Sequence, residues 1–349
     1  MNALLTSSGV CPVCGHSTTL NQRASNSFND LDGRQYLDSM FGIERFELEN
    51  LLDEMMAYSC SKCGANYLEP WLSLEARNKI FILGHGVHNV GWRNFQERIE
   101  QNLSPSLVVD SRELISRIYN VVPHFSSYVE FGCPFQGLLL HLASNDEISQ
   151  FTRSYRTFTS ANKASYRRFL PPLRVYMSLG RYAKSVALFF TGMRRFRNRV
   201  RGRRGQAQEF QLRNPVKKYF VPLKSTKFWG ENCSMYGDSC TATAIGFMNI
   251  EGMSLQQFSL IENESLFDVV GLFNVLDHQD DPLALLRMCL QRARVTIVMS
   301  HNQPFGKQHQ FGLGERFFEN LGDLIGSCEV TKLHESGESN LLYLIKSPH

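Results

Sequence analysis

Two short cysteine pairs constrain this chain more than any other feature. Cys11-Pro12-Val13-Cys14-Gly15 and Cys60-Ser61-Lys62-Cys63-Gly64 repeat one pattern. Cysteines two residues apart can turn both sulfurs toward one point, and the glycine that follows permits the tight backbone turn beneath them. Four thiolates from two such knuckles make the closed tetrahedral set that structural zinc prefers, so Cys11, Cys14, Cys60 and Cys63 are the candidate metal ligands. A closed set has no open coordination position, which makes the ion architectural rather than catalytic. A redox pair is the rival reading, but neither pair opens a helix after a strand as that chemistry requires. The other cysteines (Cys133, Cys233, Cys240, Cys289 and Cys328) are scattered, and most read as ordinary buried residues.

Paired cysteines of this kind belong to a reducing compartment. The N-terminal stretch lacks the basic start and apolar run of a secretory signal, and no segment approaches the roughly 20 apolar residues of a membrane span. A cytoplasmic protein is therefore expected. With 43% hydrophobic and 20% charged residues, the composition is that of a globular chain rather than a disordered one. Between the knuckles, Ile43 to Met56 carries Leu48, Leu51, Leu52 and Met55 on one stripe and is expected to be helical. Residues 1–75 are read as a small zinc-ribbon-like domain.

Beyond about Ile80, apolar runs alternate with helical patterns, which points to an α/β domain over residues 76–349. In Ser127 to Ala143 an apolar strand ends at Glu130-Phe131-Gly132, a turn follows, and a helix is expected from Leu138. Strand, glycine turn and helix form the unit that cradles nucleotides at a helix start. In Leu266 to Ser300, Phe267 to Phe273 reads as a buried strand, Asp281-Pro282 as the opening of a helix, and Arg294 to Met299 as a second buried strand.

On these residues the chain resembles class I S-adenosylmethionine-dependent methyltransferases. FDVVGLFNVLDHQDDPLALL is similar to the fourth-strand region of that family, and VTIVMSHNQPFGKQHQFGLGERFFENL is similar to the part of its sugar C-methyltransferase-like subgroup where a Pro-containing loop, a His and an aromatic-rich helix follow a strand. Some members of that subgroup carry an N-terminal zinc-binding domain with two separated C-x-x-C pairs. The resemblance implies a Rossmann-like doubly wound sheet and S-adenosylmethionine as cofactor. It also implies cofactor contacts at Glu130, Gly132, Cys133, Gly137 and Asn274, with an acid at the end of the second strand for the ribose hydroxyls. Lys227 to Cys233 is the expected second strand, which makes Glu231 that acid and Asp238 its runner-up. His278 and His309 are the implied catalytic bases, and His301 stands in a similar relation to the fifth strand. For each of these histidines a loop residue bonded to backbone is the alternative.

The glycine loop departs from the family pattern. Pro134 stands where its second Gly belongs, Gln136 where its third does, and Gly137 is displaced by one residue. The loop must be shaped differently, so a Rossmann-like chain that binds no cofactor is the alternative.

The net charge of +4 hides an asymmetry. Residues 151–220 hold 18 Lys and Arg and one acid, Glu209, so this segment carries +17 and the remainder −13. Residues 150–222 read as a basic helical insertion, with Leu179, Tyr182, Val186, Phe189, Met193 and Phe196 at helical spacing before an Arg-rich tract. An anionic membrane surface engaged through residues 172–204 is the favoured partner, which would make the protein peripheral on the inner membrane face. Nucleic acid and a solvated lid are the alternatives. The expected activity is methyl transfer to a sugar or glycan-related acceptor, anionic or lipid-linked. A non-catalytic scaffold and an RNA methyltransferase are the competing readings.

Overall fold

The computed structural model describes residues 5–23, 56–73, 111–132, 137–142, 215–221, 223, 250–261, 266–304, 310–336 and 340–347. Five short strands open the chain: β1 (Leu5–Thr6), β2 (Gln22–Arg23), β3 (Met56–Ser59), β4 (Asn66–Glu69) and β5 (Trp71–Leu72). Helix α1 (Ser111–Val121) precedes β6 (Ser127–Phe131), β7 (Lys217–Val221) and β8 (Ile250–Gly252). Then come α2 (Leu255–Ser259), β9 (Phe267–Phe273), α3 (Pro282–Arg292) and β10 (Ala293–His301). The chain closes with β11 (Phe311–Gly312), α4 (Glu315–Glu319), α5 (Leu321–Ile325), β12 (Glu329–Ser336) and β13 (Asn340–Lys346).

The large sheet has seven strands in the order β12-β13-β10-β9-β6-β7-β8. The five strands from β8 to β10 are parallel, and β13 runs antiparallel to both β10 and β12. Read along the chain, the parallel strands stand third, second, first, fourth and fifth. This is the doubly wound order, and it reverses between β6 and β9. The central strands are buried on both faces, which is why Phe267 to Phe273 and Ala293 to His301 are nearly continuous apolar runs.

Local chemistry fixes the elements that face the reversal. Asp281 caps α3 by accepting from the Ala284 amide at 2.9 Å, and Pro282 occupies the first turn, where its missing N–H costs nothing. A reciprocal cap of Ser254 and Gln257 starts α2, whose Phe258 stacks on Phe267 and meets Phe131 edge-on. Asp268, the acid of the FD pair, lies at the amino end of β9 and accepts from the Ser126 and Ser127 amides at 2.8 and 3.0 Å. It joins β6 to β9 at the edge away from the glycine turn.

Several expectations change here. The partner of β6 is Lys217–Val221, which the sequence placed in the tail of the basic insertion, and not Lys227 to Cys233. Phe220 and Val221 are buried on this strand, and its two lysines disguised it as more of the cationic tract. Where a helix was expected from Leu138, a 3-10 turn runs from Leu139 to His141. Met56, read as the end of a helix, lies in β3. The rest of that helix, residues 43–55, falls outside the described residues. So do residues 150–214 of the insertion and its Arg-rich tract. Among the described residues no helix is long and apolar enough to cross a membrane.

The small sheet, ordered β11-β4-β3-β2, is antiparallel where β11 meets β4, and it joins distant parts of the chain. Phe311 pairs with Tyr67 and Gly312 with Asn66. The cysteine module therefore shares its sheet with the segment that follows β10, and both belong to one unit of the chain.

Candidate functional site

Each knuckle closes on its own backbone. The Gly15 amide donates to the Cys11 carbonyl and the Gly64 amide to the Cys60 carbonyl, both at 2.9 Å. Both glycines are in the left-handed region, at φ 70° and 75°. The four sulfurs lie within 4.8 Å of one another, with Cys11 Sγ 3.7 Å from Cys63 Sγ and Cys14 Sγ 3.5 Å from Cys60 Sγ. A tetrahedron with metal–sulfur bonds of about 2.3 Å has edges of about 3.8 Å, so the set fits a zinc-sized ion. Cys11, Cys60 and Cys63 are buried. Hydrogen bonding from Cys11 lowers Cys14 to about 7 and lowers Cys60 as well, while neighbouring sulfurs hold Cys11 and Cys63 up. Without a cation the four sulfurs cannot all be thiolates, whereas a divalent ion would allow it.

Glu69 anchors the first knuckle at the end of β4. Its carboxylate accepts from the Ser7 hydroxyl and from the amides of Ser8 and Gly9, at 2.7 and 3.2 Å. Asn21 bridges the second, donating to the Tyr67 hydroxyl at 2.7 Å and accepting from the Ser61 amide at 3.1 Å.

The second constellation gathers at the carboxyl edge of the large sheet, where the strand order reverses. Glu130 on β6 is fully buried. Its carboxylate accepts from the Tyr128 hydroxyl at 2.6 Å and from the amides of Gly137, Leu138 and Leu139 at 3.1, 2.9 and 3.2 Å. Burial pushes it up to about 7, against the pull of those four donors. Burial, with the Glu130 carboxylate beside it, likewise pushes Tyr128 well above its ordinary range. Two glycines make room for this network. A Cβ on Gly137 would lie 2.4 Å from Glu130 Oε2, and one on Gly271 would lie 2.3 Å from the Tyr128 hydroxyl. Gly271 pairs directly with Glu130 across β9 and β6, which opens that space.

Gly132 has φ +90°, and its amide donates to the Val221 carbonyl at 3.1 Å. Asn274, at the end of β9, is the one non-glycine residue with positive φ among the described residues, at 52°. Its amide donates to the Met299 carbonyl at 2.9 Å, while its buried Oδ1 accepts nothing from the described residues. An unsatisfied buried acceptor at a strand-order reversal suits a ligand hydroxyl or amine. His278 closes the 3-10 turn Leu276–His278, with its amide bonded to the Val275 carbonyl at 3.1 Å.

Beside it lies a pair that the sequence reading did not assemble. Asp277 is fully buried, and its Oδ2 is 3.9 Å from His301 Nε2 at the end of β10. An acid preceding a His just past a buried strand is the available signal, but Leu276-Asp277-His278-Gln279-Asp280-Asp281 holds three acids and the spacing does not single one out. The structure thus brings Glu130, Gly132, Gly137, Asn274 and His278 to one edge and adds Asp277 and His301. Cys133, Glu231 and His309 lie outside the described residues.

No family model matches the sequence, and no curated protein matches it. Among solved structures, the chain is similar to the N-terminal domain of EvdMO1 with SAH bound, at 11% identity and a TM-score of 0.32, covering 73% of this chain and 96% of that one. It is similar to the 16S rRNA methylase ArmA at 10% identity and a TM-score of 0.32, covering 73% and 97%. It is also similar to a putative O-methyltransferase from Klebsiella pneumoniae at 12% identity and a TM-score of 0.34, covering 78% and 96%. Likenesses at these TM-scores carry no weight for function, which rests on the chain's own strand order and side chains.

Proposed function

We propose that this chain is a class I S-adenosylmethionine-dependent methyltransferase with a structural zinc site, acting on a sugar or glycan-related acceptor. The observation that carries the reading is the reversal of strand order between β6 and β9. There Gly132, with its left-handed backbone, and Asn274, with its unsatisfied Oδ1, directly follow the two strands at whose reversal doubly wound sheets bind ligands. When bound, S-adenosylmethionine supplies a methyl group on a sulfonium sulfur. Asn274 would accept a hydrogen bond from the cofactor, and Glu130 would act indirectly by fixing the amides of 137–139. His278 stands on the acceptor side as a candidate base. Cys133 and His309 keep the roles that the sequence resemblance gives them, whereas Glu231 loses the premise of its ribose role because Lys217–Val221, and not Lys227 to Cys233, is the strand beside β6.

Calorimetry with S-adenosylmethionine tests the reading. Binding that weakens about tenfold in Asn274→Ala, the loss of one hydrogen bond to a ligand, is the expected result. No heat at millimolar ligand overturns it and favours the non-catalytic scaffold, for which the self-satisfied Glu130 carboxylate would then be the reason. One zinc per chain, lost in Cys60→Ser, is expected from elemental analysis. Engagement of an anionic membrane by residues 172–204 predicts flotation with anionic liposomes that is lost when Arg194, Arg195 and Arg197 become Glu. RNA retention that falls with rising salt would point to nucleic acid instead.

A further inference from the structure

The cysteine module does more than stand beside the large sheet, because its strand β4 holds the turn that leaves β10. Asn66 Nδ2 donates to the Asn302 carbonyl at 2.9 Å, across 236 residues of sequence. Asn302 directly follows His301, whose own carbonyl accepts from the Leu313 amide at 2.8 Å. Between these two bonds, β11 lies on β4, and the Leu68 amide donates to the Gln310 carbonyl at 2.9 Å.

The packing leaves this arrangement little freedom. A Cβ on Gly312 would lie 2.5 to 2.6 Å from the backbone of Gln303. One on Gly64, in the second knuckle itself, would lie 2.7 Å from the backbone of Arg316. Such approaches occur only where both backbones are held. The path from the sulfurs to the carboxyl edge is therefore short. Cys63 and Gly64 lead into β4, Asn66 grips Asn302, and His301 is set within 3.9 Å of Asp277.

We infer that Asn66 is a positioning residue for His301, so that the metal-bearing module forms one wall of the carboxyl-edge site and sets its acceptor side. That this edge receives a methyl acceptor rests on the function proposed above. The coupling of module to histidine does not, and the two are separable by experiment.

The test uses the full zinc-loaded chain labelled with 15N-histidine, with the ring resonances of His301 assigned from His301→Gln. Asn66→Asp keeps the size and shape of the side chain but replaces the donor with an acceptor, which repels the Asn302 carbonyl. The expected result is a His301 ring signal displaced by more than its linewidth, with the signal of the exposed His124 unmoved. Chelation should displace the same His301 signal, and added zinc should restore it. A His301 signal unmoved in Asn66→Asp overturns the inference. Should Asn66→Asp fail to fold, Asn66→Ala takes its place with the same two outcomes. In parallel, S-adenosylmethionine affinity measured by calorimetry should stay within about twofold of wild type in the Asn66 variant, because Gly132 and Asn274 do not touch Asn66. If the wild-type chain binds no S-adenosylmethionine, the methyltransferase reading falls while the histidine signal still decides this one.

Discussion

The cysteine module and the Glu130 network both gather ionisable groups in the protein interior, and they solve the same electrostatic difficulty in opposite ways. Around Glu130 the chain supplies its own donors, one hydroxyl and three backbone amides, so that the buried carboxyl needs nothing from outside. Around Cys11, Cys14, Cys60 and Cys63 the backbone gives little, such as the Cys63 amide on Cys60 Sγ at 3.5 Å, and the sulfurs compete for protons and require a cation to become thiolates together. One region is stable on its own terms. The other is stable on the terms of a ligand.

Removing the metal should therefore produce the largest effect. Structural zinc contributes about 10 kcal/mol or more in isolated thiolate sites, so chelation should collapse the β2–β4 sheet and release β11. Thermal unfolding followed by tryptophan fluorescence, which reports on the buried Trp71, would show a lost or separated transition. If the unfolding of the large sheet also shifts, the two regions are coupled through β11 rather than merely adjacent.

Glu130→Ala should be the next most damaging change, at about 4 kcal/mol, because it strands four buried donors at once. Denaturant titration would measure it, and a loss under 1 kcal/mol would break the contrast drawn above. The same carboxyl carries a pH signature. Its folded value, about 7 against an ordinary 4.5, means that the native state holds the proton more tightly than the unfolded chain does. Its contribution is complete below pH 4.5 and disappears as pH rises through 7, a fall of about 3 kcal/mol. Unfolding free energies between pH 4 and 8 should show this slope in the wild type and lose it in Glu130→Gln. Smallest of the set are Gly137→Ala and Gly271→Ala, which crowd the network with one methyl and should each cost about 2 kcal/mol by calorimetric melting.

The sequence made one of these regions far more legible than the other. A knuckle is local: two cysteines and a glycine within five residues announce its chemistry, and Tyr67 and Glu69 only refine it. The unit from β9 to β10 was legible for a similar reason, since Asp281 and Pro282 mark a helix start between two apolar runs. Glu130 was visible as an acid before a glycine, but three of its four donors depend on how residues 137–139 turn back. No spacing rule encodes that. β7 was hidden because its lysines continue a cationic tract, and alternate burial appears only once β6 is beside it. Asp277 was hidden among neighbouring acids. Asn66 could not have been found at all, because its partner lies 236 residues away in a turn that has no pattern.

That separation has a consequence for the order in which the molecule is made. A ribosome adds about 5–20 residues each second, so Asn66 emerges roughly 10–50 s before Asn302 does. During that interval the four cysteines can already meet an ion, while the edge of β4 has no strand to receive. The N-terminal module must wait, one flank open, for the last fifth of the chain to arrive. Pairings of such long reach also slow refolding, and an early nick or a premature stop after β10 would leave that flank exposed for good.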